Sequence, residues 1–151
     1  MSDTYCLFNI RVTGVLIDKG KILLVQQYVD DNRKWSLPGG RVEKRESIQQ
    51  ALVREMFEET GLQIKCDKLL YICEKIDQEP ALIHITFLVK KMSGEITLPS
   101  NAFDENPIND VKFFKFKDLA RIGFTNKFID ILERDFPLKG SYMGDKKNIG
   151  L

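Results

Sequence analysis

Apolar and polar positions change rhythm several times along the chain, and each change marks an element. Residues 7–17 are apolar and β-branched, the pattern of a strand; Asp18-Lys19-Gly20 reads as a turn, and residues 21–27 return as a second strand. A polar loop over 28–34 leads to a short strand at 35–37, stopped by Pro38-Gly39-Gly40. The spacing then predicts a helix over 47–60. Ser47 with Gln50 matches a capping box, and Gly61 suits the left-handed cap at the far end. Residues 62–76 read as a bent strand and 81–91 as another, with Ser93-Gly94 as its turn. A loop over 98–110, holding Pro99 and Pro107, precedes a strand at 111–116. A helix starts over 118–122, and 124–136 is a second amphipathic one. The tail from Pro137 is polar, carries Gly140, Gly144 and Gly150, and is expected to be loosely ordered.

Strands dominate and do not alternate strictly with helices. The fold class expected is therefore α/β with a mixed sheet packed between helices, not a doubly wound parallel sheet. One domain accounts for all 151 residues, with a core over 8–136 and a tail over 137–151.

Charge and cysteine content narrow the chemistry. A formal net charge of +1 supplies no overall field toward nucleic acid or membrane, and Lys146-Lys147 is too short a basic run to bind nucleic acid. An anionic ligand would need local positive charge or a bound cation. Cys6, Cys66 and Cys73 form neither a disulfide framework nor a zinc pattern and are expected as free thiols. The N-terminus lacks the features of a signal peptide and no apolar run is long enough to span a bilayer, so the cytoplasm is the expected location.

The helix over 47–60 is where local stability and sequence disagree. Ile48, Ala51 and Leu52 share a face, and further along it come Glu55, Glu58 and Glu59. Val53, Met56 and Phe57 on the other side look like core. Glu55 repels Glu58 and Glu59 at the three- and four-residue spacings, and all three lie toward the end that the helix dipole makes unfavourable for negative charge. A divalent cation between the carboxylates would reverse that repulsion. Clustered hard oxygens select Mg²⁺, Mn²⁺ or Ca²⁺ over zinc. Taken alone, the same cluster also reads as a solvated acidic face with Arg54 as partial counterion.

The surroundings of that helix resemble a known signature. Gly40, five residues, Glu46, seven residues, then Arg54-Glu55-Met56-Phe57-Glu58-Glu59-Thr60-Gly61-Leu62 is similar at every fixed position to the Nudix hydrolase motif, G-x5-E-x7-R-E-U-x-E-E-x-G-U with U a bulky aliphatic residue. The flanks agree: Trp35-Ser36-Leu37-Pro38-Gly39-Gly40 before it, Gly14 to Ile17 and Lys21 to Val25 as paired strands, and Val111-Lys112-Phe113-Phe114 with Asp118-Leu119 behind. The resemblance, strongest toward the MutT-like and ADP-ribose pyrophosphatase-like members, implies an α/β/α sandwich. It also implies Mg²⁺-dependent hydrolysis, with Mn²⁺ a substitute, of the pyrophosphate link of a small nucleoside diphosphate derivative, ADP-ribose or a nucleotide sugar favoured. Two alternatives stay open: a (d)NTP pyrophosphohydrolase that cleans the nucleotide pool, and a non-catalytic nucleotide-binding module. A homodimer also stays open.

The resemblance assigns roles residue by residue. Glu58 and Glu59 would be the main metal ligands, with the Gly40 carbonyl another. Glu55 would be a further ligand or the general base, and Glu46 a ligand through water. Arg54 would pair with Glu55 or Glu46 and fix its orientation. Asp104 and Glu105, in the loop before the last strand, are the other candidates for the base, ranked behind Glu55. For substrate contacts, Arg11 and Arg41 are candidates for a phosphate oxygen. His84, the only histidine, is either a hydrogen-bonded sheet residue or part of the cleft lining. Tyr28, Phe103 and Phe124 are candidates for base stacking that fit core or loop packing better.

Overall fold

A computed structural model describes residues 4–100 and 106–151. Two sheets make the centre of the molecule. In the first, β1 (Phe8–Val15) lies antiparallel to the short β5 (Gly39–Arg41) and parallel to β7 (Ala81–Ser93). β7 pairs antiparallel with β6 (Gln63–Lys75), and β6 pairs parallel with β9 (Ser141–Asp145) at the edge. The second sheet is centred on β3 (Lys21–Gln26). The two-residue strands β2 (Ile17–Asp18) and β4 (Trp35–Ser36) pair with its two ends, and β8 (Asp110–Lys115) runs antiparallel along its other edge. The sheet is mixed, as expected.

Both faces of this layer are covered, which explains why β3 is apolar without interruption. Ile22 and Leu24 join Leu70, Phe114, Phe128 and Ile149 in one cluster, while Leu23 and Val25 join Ala51, Leu52 and Met56 in the other. The helix α1 (Ile48–Thr60) covers the second cluster, and α2 (Asn126–Glu133) covers the first. The sandwich is thus helix, sheets, helix.

The ends of α1 form as the sequence implies. The Ser47 hydroxyl accepts from the Gln50 N–H at 3.0 Å, and the Ser47 N–H donates to Gln50 Oε1 at 2.9 Å. Gly61 is left-handed (φ 80°), and its N–H reaches the Phe57 carbonyl. One expectation fails on this helix: Phe57 is 51% exposed and is not core. Ala51, Leu52 and Met56 define the buried side, and at 3.6 residues per turn Phe57 falls nearly opposite it. The same geometry aims Glu55 and Glu59 inward along the buried side.

The C-terminal third differs most from its pattern. The expected helix start over 118–122 is two 3₁₀ turns, Phe116–Asp118 and Ala120–Ile122. The second helix is shorter than 124–136 because Thr125 caps it, accepting from the Phe128 N–H, and Asp135 and Phe136 turn left-handed (φ 55° and 49°). The tail is ordered. Gly140 N–H donates to the Leu70 carbonyl, β9 follows along β6, and a 3₁₀ turn (Lys146–Ile149) drives Ile149 into the core at 1% exposure. Polar composition misled here because an edge strand needs few apolar residues when its backbone supplies the pairing. The three cysteines are free thiols.

Candidate active site

The strand β5 places glycines where the helix carboxylates arrive. Its register opposes Gly39 to Thr13 and Gly40 to Val12 on β1, which lays the Gly39-Gly40 backbone across the inward face of α1. The Gly39 N–H donates to Glu59 Oε1 at 2.7 Å. Gly40 touches the Glu55 carboxyl group; a Cβ there would lie 2.4 Å from its carboxyl carbon, so only glycine permits the approach.

Arg54 ties the remaining acids together. It donates to both Glu46 oxygens at 2.6 and 2.9 Å, to Glu55 Oε1 at 2.9 Å, to Glu58 Oε2 at 3.2 Å and to the Arg41 carbonyl at 3.1 Å. It pairs with Glu46 and Glu55 together, where the resemblance implied one or the other. The bidentate pair holds the Glu46 carboxyl down at about 2. Burial acts the other way on its neighbours: it raises Glu55 against the pull of Arg54, and pushes Glu59 up to about 8 despite the Gly39 N–H. Arg11 lies close enough to both to favour their charged forms.

Glu55, Glu58 and Glu59 line one cleft of about 370 Å³ with Gln27, Pro99, Ser100, Asn106 and Ile108. Among the described residues no three acidic, histidine or cysteine side chains already converge on one point. Glu58 is turned onto Arg54 and Glu59 onto Gly39. The donor set nevertheless fits a hard divalent cation in kind. It is oxygen only, it borders an open cleft, and the buried Glu59 carboxylate is short of positive charge.

A second cavity of about 260 Å³ adjoins the cleft, with Gln27 and Asn106 lining both. Its walls include Arg11, Thr13, Tyr28, Arg33, His84 and Lys146. His84 sits opposite Arg11 in the β1–β7 register, and its Nε2 lies 3.2 Å from the Thr13 hydroxyl. Its Nδ1 is buried and has no partner among the described residues. Burial, aided by Lys146, Arg11 and Arg33, drives its pKa well below the usual value.

The structure therefore brings together Gly40, Glu46, Arg54, Glu55, Glu58 and Glu59, and sets Arg11, His84 and Tyr28 beside them. It leaves Arg41 exposed, contributing only its carbonyl to Arg54. Phe124 is buried in the core. Asp104, Glu105 and Phe103 lie outside the described residues. Arg33, Lys146, Gln27 and Asn106 were not anticipated. A pair of glutamines at the end of β3 and just past it, and a pair of lysines in the tail, were the only signals, and neither pointed to a cavity.

A mixed sandwich with a Gly-Gly strand crossing an acidic helix defines a Nudix-type hydrolase fold. The NUDIX domain family model matches residues 8–134, and the chain belongs to that family. It is 31% identical over 123 residues to an ADP-ribose pyrophosphatase of Methanocaldococcus jannaschii, covering 80% of this chain and 69% of that one. It is 34% identical over 98 residues to the 8-oxo-dGDP phosphatase NUDT18 of Danio rerio, covering 63% of this chain and 29% of that one. In fold it is similar to the crystal structure of an ADP-ribose pyrophosphatase from Streptococcus suis, with a TM-score of 0.66, 23% identity, and 91% and 98% of the two chains covered. The expected family, fold and enzyme class are borne out: this is a Nudix hydrolase of phosphoric anhydrides. Among the described residues no helix is long and apolar enough to cross a membrane.

Proposed function

We propose that the protein hydrolyses the pyrophosphate link of a nucleoside diphosphate derivative, with ADP-ribose or a nucleotide sugar the favoured class, in a reaction dependent on Mg²⁺ or Mn²⁺. The observation that carries this is the lining of one cleft by Glu55, Glu58 and Glu59, with Glu59 held by the Gly39 N–H and Glu55 against Gly40. The 31% identity to the archaeal ADP-ribose pyrophosphatase supports the substrate class.

Glu58 and Glu59 would hold the cation, with Glu55, the Gly40 carbonyl and Glu46 completing its surroundings. A bound divalent cation supplies charge neutralisation of the pyrophosphate, a lowered pKa for the attacking water and stabilisation of the leaving phosphate. The chain's own residues do the rest. Arg54 holds Glu55 in one orientation from one side while Gly40 backs it on the other. Burial raises Glu55 above an ordinary glutamate, which brings it closer to neutrality and suits it to take the proton of the attacking water. Arg11, between the acidic cleft and the second cavity, would meet a phosphate oxygen.

The test is turnover of a panel of nucleotide sugars, ADP-ribose and triphosphates with Mg²⁺ or Mn²⁺, read through a phosphatase couple. ADP-ribose or a nucleotide sugar should be cleaved, and Glu59→Gln should cost on the order of a thousandfold in kcat/KM, the several kcal/mol a metal contributes. Turnover of triphosphates alone would move the substrate to the nucleotide pool. Silence across the panel with both cations would overturn the hydrolase reading in favour of a binding module.

A further inference from the structure

The cavity beside the acidic cleft is unusual in its charge. Arg11 comes from β1, Arg33 from the loop before β4, and Lys146 from the turn after β9, yet among the described residues no carboxylate side chain lines the space they share, which also takes in the last residue, Leu151. Among the described residues none of the three makes an ion pair within 4 Å, whereas Arg54, nearby, contacts four carboxylates. Arg33 donates to the Trp35 carbonyl and lies 4.7 Å over the Phe124 ring, while the Asp30 carboxylate in the same loop holds its backbone N–H and favours its charge without forming an ion pair within 4 Å. Lys146 is largely buried, and burial together with Arg33 and Arg11 brings its pKa down to about 8. The buried His84 Nδ1, with no described partner, faces the same surroundings. Like charges gathered in a partly buried space cost stability, and a bound anion would offset that cost. Lys146 also lies past residue 134, where the family match ends.

We propose that this cavity is an anion-selective subsite: Arg11, Arg33 and Lys146 receive a phosphate or carboxylate group that the substrate carries in addition to its pyrophosphate link, and Lys146 is the selecting residue. The assignment deepens, and in its substrate part rests on, the hydrolase reading above. It narrows the substrate to derivatives with a further anionic group, such as a phosphorylated or acidic sugar.

Binding without turnover tests the subsite separately. With EDTA present, calorimetric titration of the intact chain should show ribose 5-phosphate and inorganic phosphate binding and ribose failing to bind. Lys146→Met should weaken both phosphate probes by about tenfold or more, the loss of a charge-assisted contact, and Lys146→Arg should restore them. In the wild-type chain, which needs no variant to fold, phosphate should shift the His84 imidazole resonances. Equal affinity for ribose and ribose 5-phosphate, undiminished affinity in Lys146→Met, or an unmoved His84 signal would overturn the subsite. Turnover then locates the anion. The kcat/KM ratio for a phosphorylated over an unphosphorylated sugar nucleotide should exceed one and collapse in Lys146→Met. Lost phosphate binding with an unchanged ratio would overturn the substrate assignment in favour of a free anion. No turnover on any substrate would defeat the hydrolase reading and leave the binding result standing.

Discussion

The cleft and the cavity that adjoins it carry opposite charge, one an acidic wall and the other a basic one, and are held in place in opposite ways. The acidic wall comes from one contiguous stretch, residues 40–59, where a capped helix fixes the spacing of Glu55, Glu58 and Glu59 and one arginine ties the first two to Glu46. The basic wall draws Arg11, Arg33, His84 and Lys146 from four segments that meet only through long-range pairing. The β1–β7 register sets Arg11 opposite His84, and the β6–β9 pairing delivers Lys146. A local wall keeps its geometry as long as its helix survives. A dispersed wall depends on the whole sheet, and on the last fifteen residues in particular.

That contrast can be broken on the acidic side first. Gly40→Ala would put a methyl group into the Glu55 carboxyl group, whose far end can swing away, so the fold should survive while the acid is displaced. A misplacement of that size costs on the order of a hundredfold in kcat/KM, with the thermal midpoint little changed. Steady-state kinetics beside a melting curve decides it; equal loss of fold and activity would mean that the glycine serves packing alone.

On the basic side the expected damage is to stability. Ile149 is buried among residues of α2 and β6, and Ile149→Ala should cost about 2 to 3 kcal/mol in urea unfolding. An effect near zero would show that the tail lies on the core without belonging to it.

The same contrast governs what the sequence reveals. The acidic wall is legible because its parts sit at fixed offsets on one helix: the capping box, Gly61 and every motif carboxylate fall where their spacing puts them. One reading failed there and one was exceeded, both for local reasons. Phe57 looked like core although helical rotation turns it outward, and Arg54 serves more carboxylates than one pairing would suggest. The basic wall is hardly legible. Lys146 sits in a polar, glycine-containing tail whose order comes from backbone pairing to β6, and hydrogen-bonded backbone leaves no mark on hydrophobic rhythm. Arg33 lies in a loop that reads as solvent-exposed, and its partner Phe124 is ninety-one residues away.

Arg54→Lys sharpens the comparison more gently. An ammonium cannot bridge Glu46 in two places while also reaching Glu55 and Glu58, so the acids should lose their common orientation. The expected loss is on the order of tenfold in kcat/KM. Wild-type rates from the lysine variant would mean that charge alone, without the forked geometry, suffices.

The smallest effect is a pH dependence centred on the basic wall. Lys146 faces Arg33 from the loop, Arg11 from β1, Cys73 and Lys75 from β6 and His84 from β7. Its folded pKa of about 8 lies below that of a free lysine, so above that pH the native state holds fewer protons here than the unfolded chain. Stability contributed at this position therefore rises with pH from about 8 until the unfolded lysine also titrates, while the positive charge available to an anion falls over the same window. Cys73, pushed up to about 11, and His84, driven well below its usual value, both keep their protonation state between pH 7 and 9. Affinity for inorganic phosphate in EDTA should accordingly drop about fivefold between pH 7 and 9 in the wild-type chain, as the Lys146 proton is lost. In Lys146→Met the drop should be smaller, reduced to what Glu59, pushed up to about 8 near Arg11, contributes together with the ionisation of the phosphate itself. Equal slopes in the two proteins would place the titrating group elsewhere and remove Lys146 from the anion's reach.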